Sequence, residues 1–166
     1  NKVISIDETA ILDWPREPAS PASARVEAWE LLVGGGGVYN NLSTGYTTTN
    51  ASAAGAPNTN TFHSYLKSLR AFMNSFDFVK MKPDLSIITG GIPSGGRARA
   101  LVEPGLQYAI YIHHSAPFFY PGGFSDKYAV NLGSYQGNLQ LNLPSGGYLA
   151  EWIEPTTGTV IKSETF

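Results

Sequence analysis

Cysteine is absent from the 166-residue chain. Its absence excludes disulfide bonds, thiolate metal sites and a cysteine nucleophile, and it leaves the redox compartment undecided. Charge is scarce as well, since Asp, Glu, Lys and Arg make up 14% of the residues and the net charge is −2. So little positive charge gives no electrostatic footprint for nucleic acid and no polybasic segment for a membrane surface. Neutral or weakly charged ligands fit this composition better.

Long apolar runs are missing too. No run approaches the roughly 20 residues that a membrane-spanning helix needs. The hydrophobic residues nevertheless make up 42% of the chain, which is enough for a sizeable core. We therefore expect a folded protein without membrane or nucleic-acid partners. The chain begins at Asn1 without a methionine or a signal peptide, so we expect a processed chain or a fragment.

The first stretch, residues 2–9, is typical of a short strand that ends in two carboxylates. Its residues are mostly apolar or β-branched, as in a strand buried on both faces of a parallel sheet. Asp7 and Glu8 stand at its C-terminal end, where α/β and barrel folds place their functional groups. Because successive side chains of a strand point to opposite faces, these two carboxylates cannot flank one scissile bond together.

A predicted helix over residues 22–33 and a second strand complete a βαβ unit. The helix can start at a capping serine followed by proline, and a run of four glycines ends it. The second strand ends in Tyr39, Asn40 and Asn41, which we expect to face the same rim as Glu8. Their hydroxyl and amide groups suit the hydroxyls of a sugar.

The clearest periodicity predicts an amphipathic helix over residues 62–76. Aromatic and aliphatic side chains recur on one face at helical spacing, and Lys67 and Arg70 lie on the opposite, wetter side. The preceding residues, 43–61, are rich in Ser, Thr, Asn and Gly and predict a long loop that is either functional or mobile.

Residues 89–96, rich in glycine, proline and serine, are the best candidate for a domain boundary. Beyond them, short runs with β-branched or aromatic content alternate with turn sequences, which predicts antiparallel strands. These strands are residues 97–102, 107–113, 138–143, 148–154 and 159–165. We interpret the aromatic and glycine-rich residues 115–137 as a loop packed on the sheet edge rather than a ligand-stacking platform.

The order of these segments resembles a known family. Strand 3–8, helix 25–33 with its glycine turn, strand 38–41 and the closing helix and exit 66–84 resemble the last βα units of a glycoside-hydrolase (β/α)8 barrel. Residues 99–112 and 147–158 resemble the strands of an appended β-sandwich. The chain is similar to the apiosidase-like hydrolases, which end in a collagen-binding-type domain. The implied fold class is α/β plus all-β: a partial (β/α) barrel segment at 1–89 followed by an antiparallel β-sandwich at 90–166.

The resemblance implies a retaining glycoside hydrolase that acts on a polysaccharide and is secreted or periplasmic. It makes Glu8 the nucleophile, with Asp7 orienting the turn, and it places the proton donor on an earlier barrel strand. A complete barrel needs about 250 residues, so the resemblance implies either a piece of such an enzyme, inactive alone, or a protein that has lost most of its barrel. In the alternative interpretation, both acids only hydrogen-bond loop amides and the N-terminus of the next helix.

The three tryptophans have different expected roles. Trp14 follows the carboxylate strand in a proline-rich loop, where it could stack on a sugar ring or anchor the loop on the barrel rim. Trp29 falls on the apolar face of the first helix, and Trp152 alternates with polar residues of a strand. We expect both of these in the core.

Other chemistries have less support. His113 and His114 end a strand, so their side chains point to opposite faces and cannot chelate one metal together. No nucleophile elbow supports a Ser-His-Asp arrangement. The glycine run 34–37 joins a helix to a strand, the reverse of the order in a phosphate-binding loop. We expect neither a metal nor a cofactor.

Two hypotheses remain. The first is the C-terminal part of a glycoside hydrolase, with carbohydrate as its partner. The second is a noncatalytic carbohydrate- or protein-binding module built on the sandwich, with the helical part as support. Because an incomplete barrel exposes apolar faces, we also expect self-association.

Overall fold

A computed structural model describes residues 4–6, 21–41, 48–49, 59–119 and 125–166. The predicted site residues Asp7, Glu8 and Trp14 lie outside the described residues. The helices are α1 (Pro21–Val33) and α2 (Thr59–Asn74), and a 3-10 helix covers Leu85–Ile87. The strands are β1 (Ser5–Ile6), β2 (Val38–Tyr39), β3 (Lys82–Pro83), β4 (Ile88–Gly90), β5 (Arg97–Glu103), β6 (Gln107–His113), β7 (Ser115–Phe119), β8 (Ser125–Val130), β9 (Gln140–Leu141), β10 (Leu149–Ile153) and β11 (Val160–Thr165).

The predicted βαβ unit is confirmed. β1 and β2 pair in parallel, with Ser5 opposite Val38, and α1 connects them. α1 ends where predicted, because Gly35 adopts a left-handed φ of 91° that a residue with a Cβ rarely adopts. The Gly36 N–H then donates to the Leu31 carbonyl at 2.8 Å, which satisfies one of the carbonyls left free at the helix end.

α1 is the central element of the packing. It contacts α2, β2, β5, β6 and β8, so most of its circumference is covered. Even small and polar side chains such as Ser23 and Glu30 are buried, together with Trp29, which is 3% exposed as expected for a core residue. A helix covered on several sides does not need one polar face and one apolar face.

α2 has the amphipathic face that its periodicity predicts. Phe62, Leu69 and Met73 are buried, and the rings of Phe72 and Phe76 pack against the core that contains Leu69 and Met73. Lys67 and Arg70 are exposed. The helix spans Thr59–Asn74, so it begins three residues before the predicted start at residue 62 and ends two residues before the predicted end at residue 76.

The second half of the chain forms antiparallel pairs, as predicted. β5 and β6 pair from Arg97 opposite His113 to Glu103 opposite Gln107, and β3 adds a third strand to β5. The remaining pairs are β4 with β9, β7 with β8, and β10 with β11. The predicted bounds of β6 are confirmed, whereas the predicted strand 138–143 is reduced to Gln140–Leu141.

The loop predicted for residues 115–137 is wrong in part, because β7 and β8 form an antiparallel pair there. β8 packs on α1, and the backbone N–H of Tyr128 donates to Ser23 Oγ at 2.8 Å. This long-range contact fixes a strand that the local sequence, rich in glycine and aromatic residues, does not predict.

The core position expected for Trp152 is also wrong. The side chain is 41% exposed, and its indole N–H donates to Glu164 at 3.0 Å. Its strand β10 pairs with β11, in which every residue is exposed, so no second sheet covers this hairpin within the described residues.

The described residues therefore form a mixed α/β fold with two α-helices, one short parallel pair and several small antiparallel sheets, and the described strands form no closed barrel. The main core joins Trp29, Val33 and Leu69 to Leu101 and Tyr111, so residues on both sides of the predicted boundary at 89 and 90 share it. The division into two domains stays a prediction. Neither described helix has the length and apolar character needed to cross a membrane.

Candidate functional site

The three predicted residues at the end of β2 do not share one face. Tyr39 and Asn41 lie on the side that faces the helices, where Asn41 Nδ2 donates to the Tyr39 hydroxyl at 3.4 Å. The Tyr39 hydroxyl donates to Glu27 Oε2 on α1 at 2.7 Å, and its ring meets Phe62 edge-on. Asn40 is exposed, because strand alternation turns it away from its two neighbours.

Tyr39 is suited to donate a hydrogen bond rather than to lose a proton. Burial and the negative charge of Glu27 raise the pKa of Tyr39 well above its usual value of 10.0. The hydroxyl therefore stays protonated at physiological pH and anchors β2 to α1. Asn41 is 7% exposed and continues the same polar contact.

A second polar group, which the sequence did not predict, surrounds the buried carboxylate of Glu30. We call Glu30, Arg99, His113, Ser115 and Tyr128 the Glu30 cluster. Arg99 Nη2 is 2.8 Å from Glu30 Oε1, and the Tyr128 hydroxyl donates to Glu30 Oε2. His113 Nε2 lies 3.5 Å from Glu30 Oε1, and His113 Nδ1 is 2.5 Å from Ser115 Oγ. The cluster joins α1 to β5, β6, β7 and β8.

The neighbours of Glu30 keep its carboxylate ionised. Burial alone would raise the pKa of Glu30, but contacts with His113 and Tyr128 and the positive charge of Arg99 lower it from 4.5 to about 2. In turn, burial and the same carboxylate raise the pKa of Tyr128. The cluster thus holds a negative charge balanced by Arg99 inside the protein.

Ser115, His113 and Glu30 form a chain of contacts with the residue types of a catalytic triad, in which serine is the nucleophile, histidine the base and the acid orients the histidine. However, Ser115 is 4% exposed and Glu30 is 6% exposed, so a substrate carbonyl cannot reach the hydroxyl. The cluster is therefore a structural network. The sequence does carry a signal for it, because a glutamate between Trp29 and Leu31 in an apolar stretch needs a buried partner.

A cleft of about 350 Å³ lies on the other side of the β5–β6 sheet. We call it the Asp84 cleft. Its floor consists of Ile87 and Val102, and its polar lining includes Asp84, Ser86 and Asn142. Tyr108 and prolines 104 and 144 supply rigid apolar walls. Asp84 is the sole charged side chain among the lining residues.

The described residues contain no group of three or more His, Asp or Glu side chains placed to hold a metal ion. His113 and His114 turn to opposite sides as predicted: His113 enters the Glu30 cluster, and His114 stacks on Tyr135.

No family model matches this chain, and no curated protein or solved structure matches it either. The resemblance to apiosidase-like hydrolases therefore stays a prediction.

Proposed function

We propose that the chain is the C-terminal part of a retaining glycoside hydrolase, with the β1-α1-β2 unit as the last part of its barrel and residues 90–166 as its β-sandwich. The observation that carries the proposal is the incomplete cover of the parallel pair. Ile4 is 62% exposed and Val38 is 48% exposed. Parallel sheets are almost always buried on both faces, which favours a larger sheet around these strands.

In this proposal Glu8, directly after β1, is the nucleophile, and Asp7 orients the turn. Trp14 and the exposed Asn40 contact the sugar, while Tyr39 and Asn41 hold the end of β2 against α1. Retaining glycosidases need a second carboxyl group about 5 Å from the nucleophile as proton donor. A strand outside these 166 residues supplies it, so the chain alone has no hydrolase activity.

In the parent protein that the proposal requires, Glu8→Gln is expected to lower kcat by at least about 10³-fold, because the amide cannot form the glycosyl-enzyme intermediate. The measurement is hydrolysis of aryl glycosides and polysaccharides. Glu17→Gln, a carboxylate to which the proposal gives no role, is the matched control and keeps the parent rate. An unchanged rate in Glu8→Gln, or a parent without further βα units upstream of Asn1, would overturn the proposal.

Self-association through the uncovered strand faces is a second expected result. Sedimentation velocity on the 166-residue chain should show dimers or larger species whose fraction rises with concentration. Val38→Ser should reduce that fraction because Val38 lies on the uncovered pair. Leu106→Ser is the control, since Leu106 is 74% exposed in the β5–β6 turn, away from the parallel pair. A clean monomer at high concentration contradicts the expectation.

We propose as the second candidate function a noncatalytic carbohydrate-binding module. The Asp84 cleft favours it, because the cleft combines an aromatic wall with uncharged hydrogen-bonding groups in the antiparallel part of the chain. This function needs no second carboxylate. Binding of oligosaccharides by the 166-residue chain in the absence of any hydrolysis distinguishes it from the first candidate.

A further inference from the structure

We propose that the Asp84 cleft is a binding subsite for a neutral saccharide, with Tyr108 as its aromatic wall and Asp84 and Asn142 as its hydrogen-bonding groups. This inference rests on the second candidate function and names the site at which it would operate. The volume of about 350 Å³ lies at the lower end of the range for small-molecule sites and corresponds to one or two sugar rings.

The aromatic wall is fixed before any ligand arrives. The Gly105 N–H donates to the Tyr108 hydroxyl at 2.6 Å, and Gly105 holds a positive φ of 78° in the β5–β6 turn. The Tyr148 ring meets Tyr108 edge-on at 5.9 Å, and the Tyr148 hydroxyl donates to the Pro144 carbonyl at 2.7 Å. Side chains that are already ordered lose little entropy on binding.

The polar lining keeps free hydrogen-bonding capacity. Asp84 Oδ1 accepts bonds from both the backbone N–H and the hydroxyl of Ser86, at 3.0 and 2.6 Å, and no described residue donates a hydrogen bond to Oδ2. The Asn142 backbone N–H donates to the Ile87 carbonyl at 2.8 Å. This bond holds the Asn142 backbone beside Ile87, and Asn142 is exposed and lines the cleft. A carboxylate acceptor beside an amide with donor and acceptor suits adjacent sugar hydroxyls.

The charges of the cleft select the class of ligand. No Lys or Arg lines it, and the one carboxylate repels phosphate and carboxylate groups. The Tyr108 wall and the exposed prolines 104 and 144 offer apolar surface to the C–H groups of a sugar ring, above the buried side chains of Ile87 and Val102. A neutral polyhydroxylated ring satisfies both requirements.

The test is a titration of the ¹⁵N-labelled 166-residue chain with cellotetraose, xylotetraose and mannotetraose, followed by NMR. We expect at least one of these probes to shift the amide signals of residues 84–86, 105–108, 142 and 143, since the prolines 104 and 144 have no amide proton. Asp84→Asn and Asn142→Ala should each lower the affinity for that probe by about 5- to 10-fold, the effect of losing one hydrogen bond. Asp77→Asn and Asn138→Ala, matched changes at exposed positions outside the cleft, should leave the affinity unchanged.

Tyr108 gives an independent readout of the wall. Tyr108→Leu should abolish measurable binding, whereas Tyr108→Phe keeps the ring and should retain it. Because Tyr108 also packs against the small core of Ile87, Ala100 and Val102, circular dichroism must show that the leucine variant is folded. If it is not, the exposed Asn142→Ala variant decides.

The possible results of the titration test the Asp84 cleft and the carbohydrate-binding function separately. If a probe binds but Asp84→Asn and Asn142→Ala do not weaken its binding, or if it shifts signals outside the cleft, the cleft is not the binding site. The second candidate function, a carbohydrate-binding module, would still stand in that case. If none of the three probes binds at about 10 mM, any dissociation constant would be weaker than that of an ordinary lectin-type contact. This result overturns both the cleft as the site and the carbohydrate-binding function.

Discussion

Glu30→Gln is expected to lower the free energy of unfolding at neutral pH by about 2 to 3 kcal/mol. The pKa of Glu30 falls from 4.5 to about 2 in the folded protein, and each pKa unit corresponds to about 1.4 kcal/mol. Solvent screens part of this interaction, because Arg99 is 41% exposed. The amide keeps the volume of the side chain but leaves Arg99 without its counter-charge.

The pH dependence distinguishes this electrostatic effect from a packing defect. A carboxylate whose pKa is lowered by folding stabilises the protein above the unfolded pKa and loses that contribution as the pH falls through the folded pKa. The stability difference between the wild type and Glu30→Gln should therefore be constant above about pH 5 and shrink between pH 4.5 and about 2. Urea unfolding followed by circular dichroism measures it.

Glu151→Gln is the matched control for Glu30, because Glu151 is exposed on β10. It should change stability by less than about 0.5 kcal/mol at any of these pH values. A Glu30→Gln difference that stays the same at pH 2 and pH 7 would show that the carboxylate charge contributes nothing.

The helices and the regular strands could be predicted because their signals are local. In α2 the apolar spacing identifies Phe62, Leu69 and Met73 as core before any partner is known. In α1 the proline at position 21 and the glycine run 34–37 mark the two ends of the helix. The bounds of β6 follow from its β-branched and aromatic residues between turn sequences.

The β7–β8 pair and the Glu30 cluster could not be predicted, because their partners are distant in sequence. Tyr128 is 98 residues from Glu30, and its contacts with α1 fix the position of β8. A charged residue within an apolar helix segment predicts that a buried partner exists but does not identify it. Only the packing of β5, β6 and β8 on α1 decides that the partners are Arg99, His113 and Tyr128.

The three residues at the end of β2 could be placed along the strand from the sequence, but not assigned to one face of it. Position along the strand correctly places Tyr39, Asn40 and Asn41 at its C-terminal end. Alternation then divides them, with Tyr39 and Asn41 bonded together toward α1 and Asn40 exposed on the other side. Of these three, Asn40 is therefore the one that is exposed to solvent, and it is the one that the proposed hydrolase places against the sugar.

Trp29→Ala is expected to cost about 3 to 5 kcal/mol of unfolding free energy, the range for deleting a large buried aromatic side chain. Trp29 is 3% exposed, its ring stacks on Tyr111 at 5.3 Å, and it packs on Phe72 at 4.9 Å. The cavity would lie between α1, α2 and β6, where the two halves of the chain share their core. Urea unfolding by circular dichroism measures the loss, and Trp152→Ala, at a 41% exposed position, should cost less than about 1 kcal/mol.

Trp29→Phe tests the contribution of the indole N–H separately from that of the buried ring. The indole N–H of Trp29 is buried and makes no hydrogen bond within the described part of the chain, so phenylalanine removes a polar group that folding leaves unsatisfied. That gain offsets part of the lost ring area, and we expect a net cost of only about 1 kcal/mol. A phenylalanine variant as unstable as Trp29→Ala would mean that the N–H is satisfied, for example by a buried water, and that the contact of the two halves depends on it.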